Sequence, residues 1–275
     1  MHRSPLRCEP YNTVARQIHT AESGGEAEVL SASAAKLRLL KSLHCTTKFE
    51  KAAYEGGARL VAGADEVGRG SLFGCVVAAA CILNPEDRIR GLRDSKLLPE
   101  EDREKLAARI RQRAIAWAVA EVDVGRIDQI NIYHASLLAM KMAVLRLDPQ
   151  PDYLLVDAAV LDVDCPQKKI IHGDALSASI AAASILAKVH RDAILRAWDP
   201  IYPQYGLASN KGYSTPFHKE ALRQYGPSPM HRQSYAPVAE AGEERQQELE
   251  FLNELRSEEC SDITAPVADA KESEC

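Results

Sequence analysis

Short apolar runs alternate with longer amphipathic stretches along the middle of the chain. Five of these runs have the length and the small or β-branched apolar content of buried strands. The predicted strands are residues 60–64, 75–83, 114–122, 153–158 and 168–174. Three glycines in the segment that joins the first two strands allow a tight reversal, so we expect these two strands to pair as a hairpin.

Helical periodicity fills most of the intervals between and after the strands. Apolar residues recur at helical spacing in residues 35–54, 131–147 and 177–199. Pro99, followed by three acidic residues, marks the start of a further helix that runs to about residue 113. Together these patterns predict an α/β domain, with a five-stranded central sheet flanked by helices and a helical or irregular C-terminal extension.

Both ends of the chain differ in composition from its middle. Residues 1–34 are predicted to form a flexible leader, residues 35–238 the folded domain, and residues 239–275 an acidic, largely disordered tail with a weak helix at its start. The tail holds twelve acidic and three basic residues, a net charge of −9, whereas the whole chain carries −5. The other 238 residues therefore carry −5 − (−9) = +4, which is compatible with phosphate contacts.

The cysteines and the hydropathy indicate the cell compartment. The chain has seven cysteines and no C-x-x-C pair, so neither a disulfide framework nor a zinc site is expected. No apolar run is long enough for a transmembrane helix, and the N-terminus lacks the apolar core of a secretory signal. We therefore expect a cytoplasmic protein.

Acidic residues stand at the ends of three predicted strands. They are Asp65 with Glu66, Asp157 and Asp174. If the central strands share a direction, these carboxylates meet at one edge of the sheet, where their repulsion requires cations. Mg²⁺ or Mn²⁺ would suit them, and a two-metal site suits phosphodiester cleavage. Taken singly, each acid has a structural alternative: turn chemistry for the pair, a loop cap for Asp157 and a helix N-cap for Asp174.

Six motifs follow one another along the folded domain: GADEVGRGSLFGCVVAAACIL, RDSK, VDA, GDALSASIAAASILAKVHRD, YPQYGLASNKGYSTPFH and HRQSYAP. Together they resemble type 2 ribonuclease H, also called ribonuclease HII. The resemblance implies a ribonuclease H-like fold and endonucleolytic cleavage of RNA in RNA–DNA hybrids. It also implies incision on the 5′ side of a ribonucleotide embedded in duplex DNA, leaving 3′-hydroxyl and 5′-phosphate ends.

The resemblance further implies roles for single residues. The four strand-end acids match the family's metal-binding acids, whose ions are Mn²⁺ or Mg²⁺. Gly68-Arg69-Gly70 matches a loop whose backbone reads the 2′-hydroxyl at the RNA–DNA junction, and Tyr213 matches a tyrosine that stacks on the junction sugar. Segments that contact phosphates in such enzymes contain Lys96, Ser184 and Lys188. Tyr213 could equally be an ordinary loop tyrosine, and the lysines solvated surface charges.

Three other matched residues are expected to be structural. Asp192 is predicted to form a salt bridge or to serve its helix, and His218 and His231 are predicted to be hydrogen-bonding struts without a role in proton transfer.

The chain also departs from the family pattern at four positions. Ser71 and Cys75 stand where proline is usual, Ala158 where glycine is usual, and Leu176 where lysine is common. The loss of two prolines is expected to loosen the loop slightly, and the loss of the lysine to weaken a phosphate contact. None of the four departures removes a metal ligand.

Three alternatives compete with this interpretation. Ribonuclease HIII shares the acid pair but usually carries GTG or GKG in the loop, and it has a folded N-terminal domain for which residues 1–58 are too short. A junction resolvase would share the acids without the GRG and KGY loops. A non-catalytic hybrid-binding protein would gain nothing from four acids facing phosphate. We expect a monomer whose partners are RNA–DNA hybrids and ribonucleotide-containing DNA, with replication or repair proteins as further candidates.

Overall fold

The computed structural model describes residues 42–262, and a five-stranded mixed sheet lies at their centre. The strands lie in the order β3-β2-β1-β4-β5. Their bounds are Val61–Val67 for β1, Val76–Ile82 for β2, Ala116–Val122 for β3, Tyr153–Asp157 for β4 and Gln167–Ile170 for β5. β1 and β2 are antiparallel, as predicted for a hairpin, whereas β4 runs parallel to both β1 and β5.

Helices cover both faces of this sheet. In chain order they are α1 Lys48–Glu55, α2 Glu100–Arg113, α3 Val124–Leu145, α4 Gly173–Leu176, α5 Ala178–Trp198, α6 Leu207–Asn210, α7 Pro216–Tyr225 and α8 Ala236–Asp262, with short 3-10 turns at Ser95–Leu97 and Pro203–Tyr205. Apolar side chains of α3 pack with one face of the strands, and those of α2 and α5 with the other. The predicted α/β architecture is confirmed.

Helix α5 lies unusually close to β1 because the residues between them are small. A Cβ atom on Gly63 would lie only 2.1 Å from the carbonyl carbon of Ser179 in α5. Gly63 and Asp65 share one face of β1, because side chains alternate along a strand. The close approach therefore brings α5 beside Asp65.

Several predicted boundaries were wrong. Strand β1 continues to Val67 rather than ending at 64, and residues 43–47 of the first predicted helix are not helical, so α1 begins at Lys48. Helix α3 begins at Val124 rather than at 131, because the Asp123 carboxylate accepts a hydrogen bond from the Arg126 amide at 2.8 Å and caps an earlier start. Asn131 then interrupts the helix with a φ of 64°. Strand β5 ends at Ile170 rather than at Asp174, because His172 turns the chain with a left-handed φ of 58°.

Two units divide the chain, Met1–Arg38 and Leu39–Cys275. The predicted leader lies outside the described residues, as do positions 35–41 of the first predicted helix and positions 263–275 of the tail. The described part of the tail, residues 239–262, belongs to α8. Within residues 42–262, no helix combines the length and the apolar character that a membrane crossing needs.

Candidate active site

Two parallel neighbouring strands bring the first acids to the same edge of the sheet. Ala64 of β1 pairs with Val156 of β4, so Asp65 and Asp157 follow at the same level and Glu66 is one residue further. Asp157 also accepts a hydrogen bond from the Gly173 amide at 2.7 Å. This bond holds the start of α4 against the end of β4 and places Asp174 near the other three acids.

The four carboxylates interact electrostatically. Burial raises the pKa of Asp65 well above its usual value, and the charges of Glu66, Asp157 and Asp174 raise it further. A hydrogen bond from Ser184 of α5 acts in the opposite direction. Burial also raises the pKa values of Glu66 and Asp157. The acids thus converge as predicted, although Asp174 reaches them from a helix and not from a strand end.

Lys96 supplies positive charge at this edge. Its Nζ atom donates to Asp174 Oδ2 at 2.9 Å and lies 3.8 Å from Asp94 Oδ1, while 71% of its side chain stays exposed. Burial opposes the charge on Lys96, but Asp174, Asp94 and Asp65 together raise its pKa. Lys96 therefore faces the carboxylates while remaining accessible to a ligand.

Asp94 is a site residue to which the sequence assigned no role. It is 1% exposed, its Oδ1 atom accepts from the Lys96 amide at 2.9 Å, and its buried Oδ2 atom lacks a hydrogen bond. Burial raises the pKa of Asp94, and Asp174 contributes to the increase. Its place in the RDSK motif, two residues before Lys96, was the available signal.

The donor chemistry at this edge fits a hard divalent cation. Among residues 42–262, no three acidic, histidine or cysteine side chains are arranged to hold a metal ion as they stand. However, the candidate ligands Asp65, Glu66, Asp157 and Asp174 offer only carboxylate oxygens, and the nearby cations Lys96 and Arg69 leave an excess of negative charge.

The loop Gly68-Arg69-Gly70 follows β1 and adjoins the acids. Gly68 has a φ of 93°, and a Cβ atom there would lie 2.2 Å from Nε of Arg191, so glycine is required. A Cβ atom on Gly70 would lie 4.0 Å from the Tyr213 ring. Tyr213 forms an antiparallel bridge with Ser71, and 36% of its surface is exposed. The structure thus brings the two predicted substrate-binding elements together.

Two buried arginines, whose role the sequence did not reveal, hold this loop. Arg191 donates to Lys211 O at 3.0 Å and to Ser71 Oγ at 2.7 Å. Arg232 donates to Arg69 O at 3.0 Å and to Gly74 O at 2.9 Å. Each guanidinium therefore satisfies oxygens of segments far apart in sequence. The Ser71 hydroxyl supplies a bond that proline could not, which compensates for that departure.

Ser184 and Lys188, which the resemblance places in phosphate-contacting segments, both have hydrogen-bond partners within the protein. Ser184 is buried and shares a 3.0 Å hydrogen bond with Ser95. Lys188 Nζ donates to Asp192 Oδ1 at 2.7 Å, and burial lowers the pKa of Lys188. Arg103 lies 3.8 Å from the same aspartate. The predicted salt bridge of Asp192 is confirmed, whereas Ser184 belongs with Asp65 because α5 packs so closely on β1.

Comparison with known proteins agrees with this geometry. A family model described as ribonuclease HII matches residues 62–238. The ribonuclease HII of Koribacter versatilis (strain Ellin345) is 65% identical over 243 residues, which cover 88% of this chain and 94% of that protein. The crystal structure of the ribonuclease H2 from Pyrococcus horikoshii OT3 has a TM-score of 0.60 and 27% identity, and covers 67% of this chain and 98% of that one.

A second solved structure, the PCNA:RNase HII complex from Archaeoglobus fulgidus, has a TM-score of 0.55 and 25% identity. It covers 66% of this chain and 96% of that one. The matched region of the family model contains all four acids, the glycine loop and Tyr213.

Proposed function

The chain belongs to the ribonuclease HII family and is an endoribonuclease, and from this premise we propose that it incises duplex DNA on the 5′ side of an embedded ribonucleotide. The incision leaves a 3′-hydroxyl and a 5′-phosphate. The family assignment supports cleavage of the RNA strand of RNA–DNA hybrids and sets aside the ribonuclease HIII and binding-protein alternatives. Residues 35–238 are proposed as the catalytic domain.

One observation carries the proposal: the glycine loop follows directly on the strand that carries Asp65 and Glu66, and a Cβ atom on its Gly70 would lie 4.0 Å from the part-exposed ring of Tyr213. A 2′-hydroxyl both donates and accepts hydrogen bonds, and it distinguishes RNA from DNA. The absence of side chains at Gly68 and Gly70 lets the backbone approach a sugar closely. A ribonucleotide bound there would have its phosphate beside the acids.

The acids Asp65, Glu66, Asp157 and Asp174 are the residues proposed to hold divalent metal ions. The family generally depends on divalent metals, and Mn²⁺ and Mg²⁺ are the proposed ions. When bound at such a site, divalent ions lower the pKa of an attacking water and stabilise the leaving oxygen.

The chain's own polar groups orient these ligands. The Gly173 amide fixes the Asp157 carboxylate, Ser184 bonds to Asp65, and Lys96 holds Asp174. Lys96, being largely exposed, is also proposed to contact a substrate phosphate. Ser184 and Lys188 hydrogen-bond to other residues of the protein. We therefore propose that they support the substrate-binding site and do not contact the substrate directly.

The site assignment is tested with Asp65→Asn. This change keeps the shape of the side chain but removes a carboxylate ligand, so cleavage of a ribonucleotide-containing duplex should be abolished while duplex binding persists. Asp162→Asn is the matched control, because the Asp162 side chain is exposed and its carboxylate forms a surface ion pair with Lys141 at 2.7 Å. Full activity of Asp65→Asn would refute the assignment.

The junction role is tested with Tyr213→Ala. Loss of the ring should strongly slow cleavage at a single embedded ribonucleotide. Tyr225→Ala is the control, because Tyr225 is 53% exposed and lies at the end of α7. An unchanged rate for Tyr213→Ala would remove Tyr213 from the junction.

RNA–DNA hybrids and ribonucleotide-containing duplexes are the proposed partners. The Archaeoglobus fulgidus relative was solved with PCNA, which supports a replication or repair protein as an additional partner. The enzyme is proposed to act as a monomer in the cytoplasm, and deletion of residues 241–275 is expected to leave turnover unchanged.

A further inference from the structure

Two buried histidines lie behind Tyr213 and link two loops. His218, in α7, and His231 are each 0% exposed, and their Nε2 atoms lie 3.0 Å apart. His218 Nδ1 lies 3.0 Å from the carbonyl oxygen of Tyr213. On the other side, His231 Nδ1 accepts a hydrogen bond from the Ser228 amide at 2.9 Å. The contacts form one continuous chain from Ser228 to Tyr213.

Only one neutral arrangement of protons satisfies this chain. The Ser228 amide can only donate, so Nδ1 of His231 carries no proton and Nε2 of His231 must carry it. His231 Nε2–H then donates to Nε2 of His218. His218 therefore has its proton on Nδ1, where it donates to Tyr213 O, an atom that can only accept. Burial favours the neutral form of both rings.

The same two loops enclose the segment that follows the glycine loop. Tyr213 bridges Ser71, and His231 bridges Phe73, both in antiparallel fashion. The rings of Phe73 and Tyr205 pack edge-on against His231, at centroid distances of 5.0 and 4.6 Å. The histidine contact thus joins the two strips of backbone between which residues 71–73 lie.

We propose that His218 and His231 are positioning residues, which set the Tyr213 backbone and thereby the distance of the Tyr213 ring from the Gly68–Gly70 loop. This inference rests on the proposed function of Tyr213 at the junction. The histidine pair holds the carbonyl of Tyr213 from inside the protein, while the ring of Tyr213 is part-exposed to the substrate side. The pair would thereby affect how well the enzyme selects a single ribonucleotide. Cleavage at a single embedded ribonucleotide should depend on the pair more than cleavage of a continuous hybrid does.

A double-mutant cycle tests the proposal. His218→Phe keeps an aromatic ring but removes the donor to Tyr213 O, and should lower kcat/KM on a single-ribonucleotide duplex by about tenfold or more, since small misplacements cost much in rate. In the Tyr213→Ala background, His218→Phe should lower kcat/KM by less than about twofold, because both substitutions act through the ring of Tyr213. His218→Asn, which can still donate, should restore part of the rate.

Tyr205→Phe is the matched control within the same cluster. It removes the 2.7 Å hydrogen bond from the Tyr205 hydroxyl to Gly226 O but keeps the ring that packs against His231. It should lower the melting temperature and leave the single-ribonucleotide preference unchanged. The proposal would be overturned if His218→Phe lowered kcat/KM by the same factor in the wild-type and Tyr213→Ala backgrounds. It would also be overturned if Tyr205→Phe lost the preference for a single ribonucleotide to the same extent. If His218→Phe does not fold, His231→Phe, which removes the donor to His218 Nε2, carries the same comparison.

A second readout does not require activity. Long-range ¹H–¹⁵N NMR of the histidine-labelled protein should show the proton of His218 on Nδ1 and that of His231 on Nε2. The opposite tautomers would overturn the inference even if the enzyme nicks DNA as proposed. Conversely, a wild-type protein that does not nick a single-ribonucleotide duplex, but shows these tautomers, would refute the proposed function and leave the hydrogen-bond chain in place.

Discussion

Lowering the pH should destabilise the fold through His231. Burial, with the neighbouring His218, lowers the pKa of His231 to about 3 from 6.5. A base with a depressed folded-state pKa takes up its proton in the unfolded state first, so the stability that it contributes is present above pH 6.5 and is lost as the pH falls toward 3. With these two values, the loss attributable to His231 is about 2 kcal/mol between pH 7 and pH 5.

Urea unfolding of the wild type and of His231→Gln at several pH values measures this loss of stability. Glutamine does not titrate, so its protein lacks the contribution of His231 while it keeps the carboxylates that also titrate at low pH. The wild type should lose about 2 kcal/mol more than the variant between pH 7 and pH 5. Parallel pH dependences of the unfolding free energy for the two proteins would contradict a lowered pKa of His231 in the folded state.

Three further changes test the packing around the acids, each by urea unfolding of metal-free protein. Gly63→Ala should lower the free energy of unfolding by about 3 kcal/mol or more, because the new Cβ atom would lie 2.1 Å from the backbone of Ser179. A decrease below about 1 kcal/mol would contradict that packing. Ala158 has a φ of 46°, so Ala158→Gly should stabilise the fold by about 0.5–1 kcal/mol, and a loss would contradict a strained backbone. Lys96→Met should cost about 1–3 kcal/mol by leaving Asp174 without its donor, with Lys96→Arg as control; equal stability of both would contradict the ion pair.

The sequence predicted what local pattern and strand direction determine. Apolar runs located all five strands, and the acids at the ends of the first and fourth strands met because β1 and β4 are parallel. The fifth strand was predicted too long, because its apolar pattern continues up to His172, whose left-handed backbone ends it. The start of α3 was predicted too late, although Asp123 is an N-cap residue type at the right place.

Hydrogen bonds between residues far apart in the chain could not be predicted from the sequence. Arg191 and Arg232 lie in motifs that were recognised, but nothing in an HRD or HRQ triplet shows which carbonyls a guanidinium meets. Arg191 reaches Phe73 O, 118 positions away, and Arg232 reaches Gly74 O, 158 positions away. His218 and His231 were predicted as struts, yet their contact with each other depends on how α7 packs against the loop that carries His231.

The most direct test of the central claim is cleavage of an end-labelled DNA duplex that carries one ribonucleotide, with Mg²⁺, Mn²⁺ or EDTA. The expected result is a metal-dependent nick immediately 5′ of the ribonucleotide, with a 3′-hydroxyl end, and no nick in EDTA. Cleavage of long RNA–DNA hybrids alone would contradict the junction role of the Gly68–Gly70 loop and Tyr213. No cleavage with either metal would contradict the assignment of the four acids.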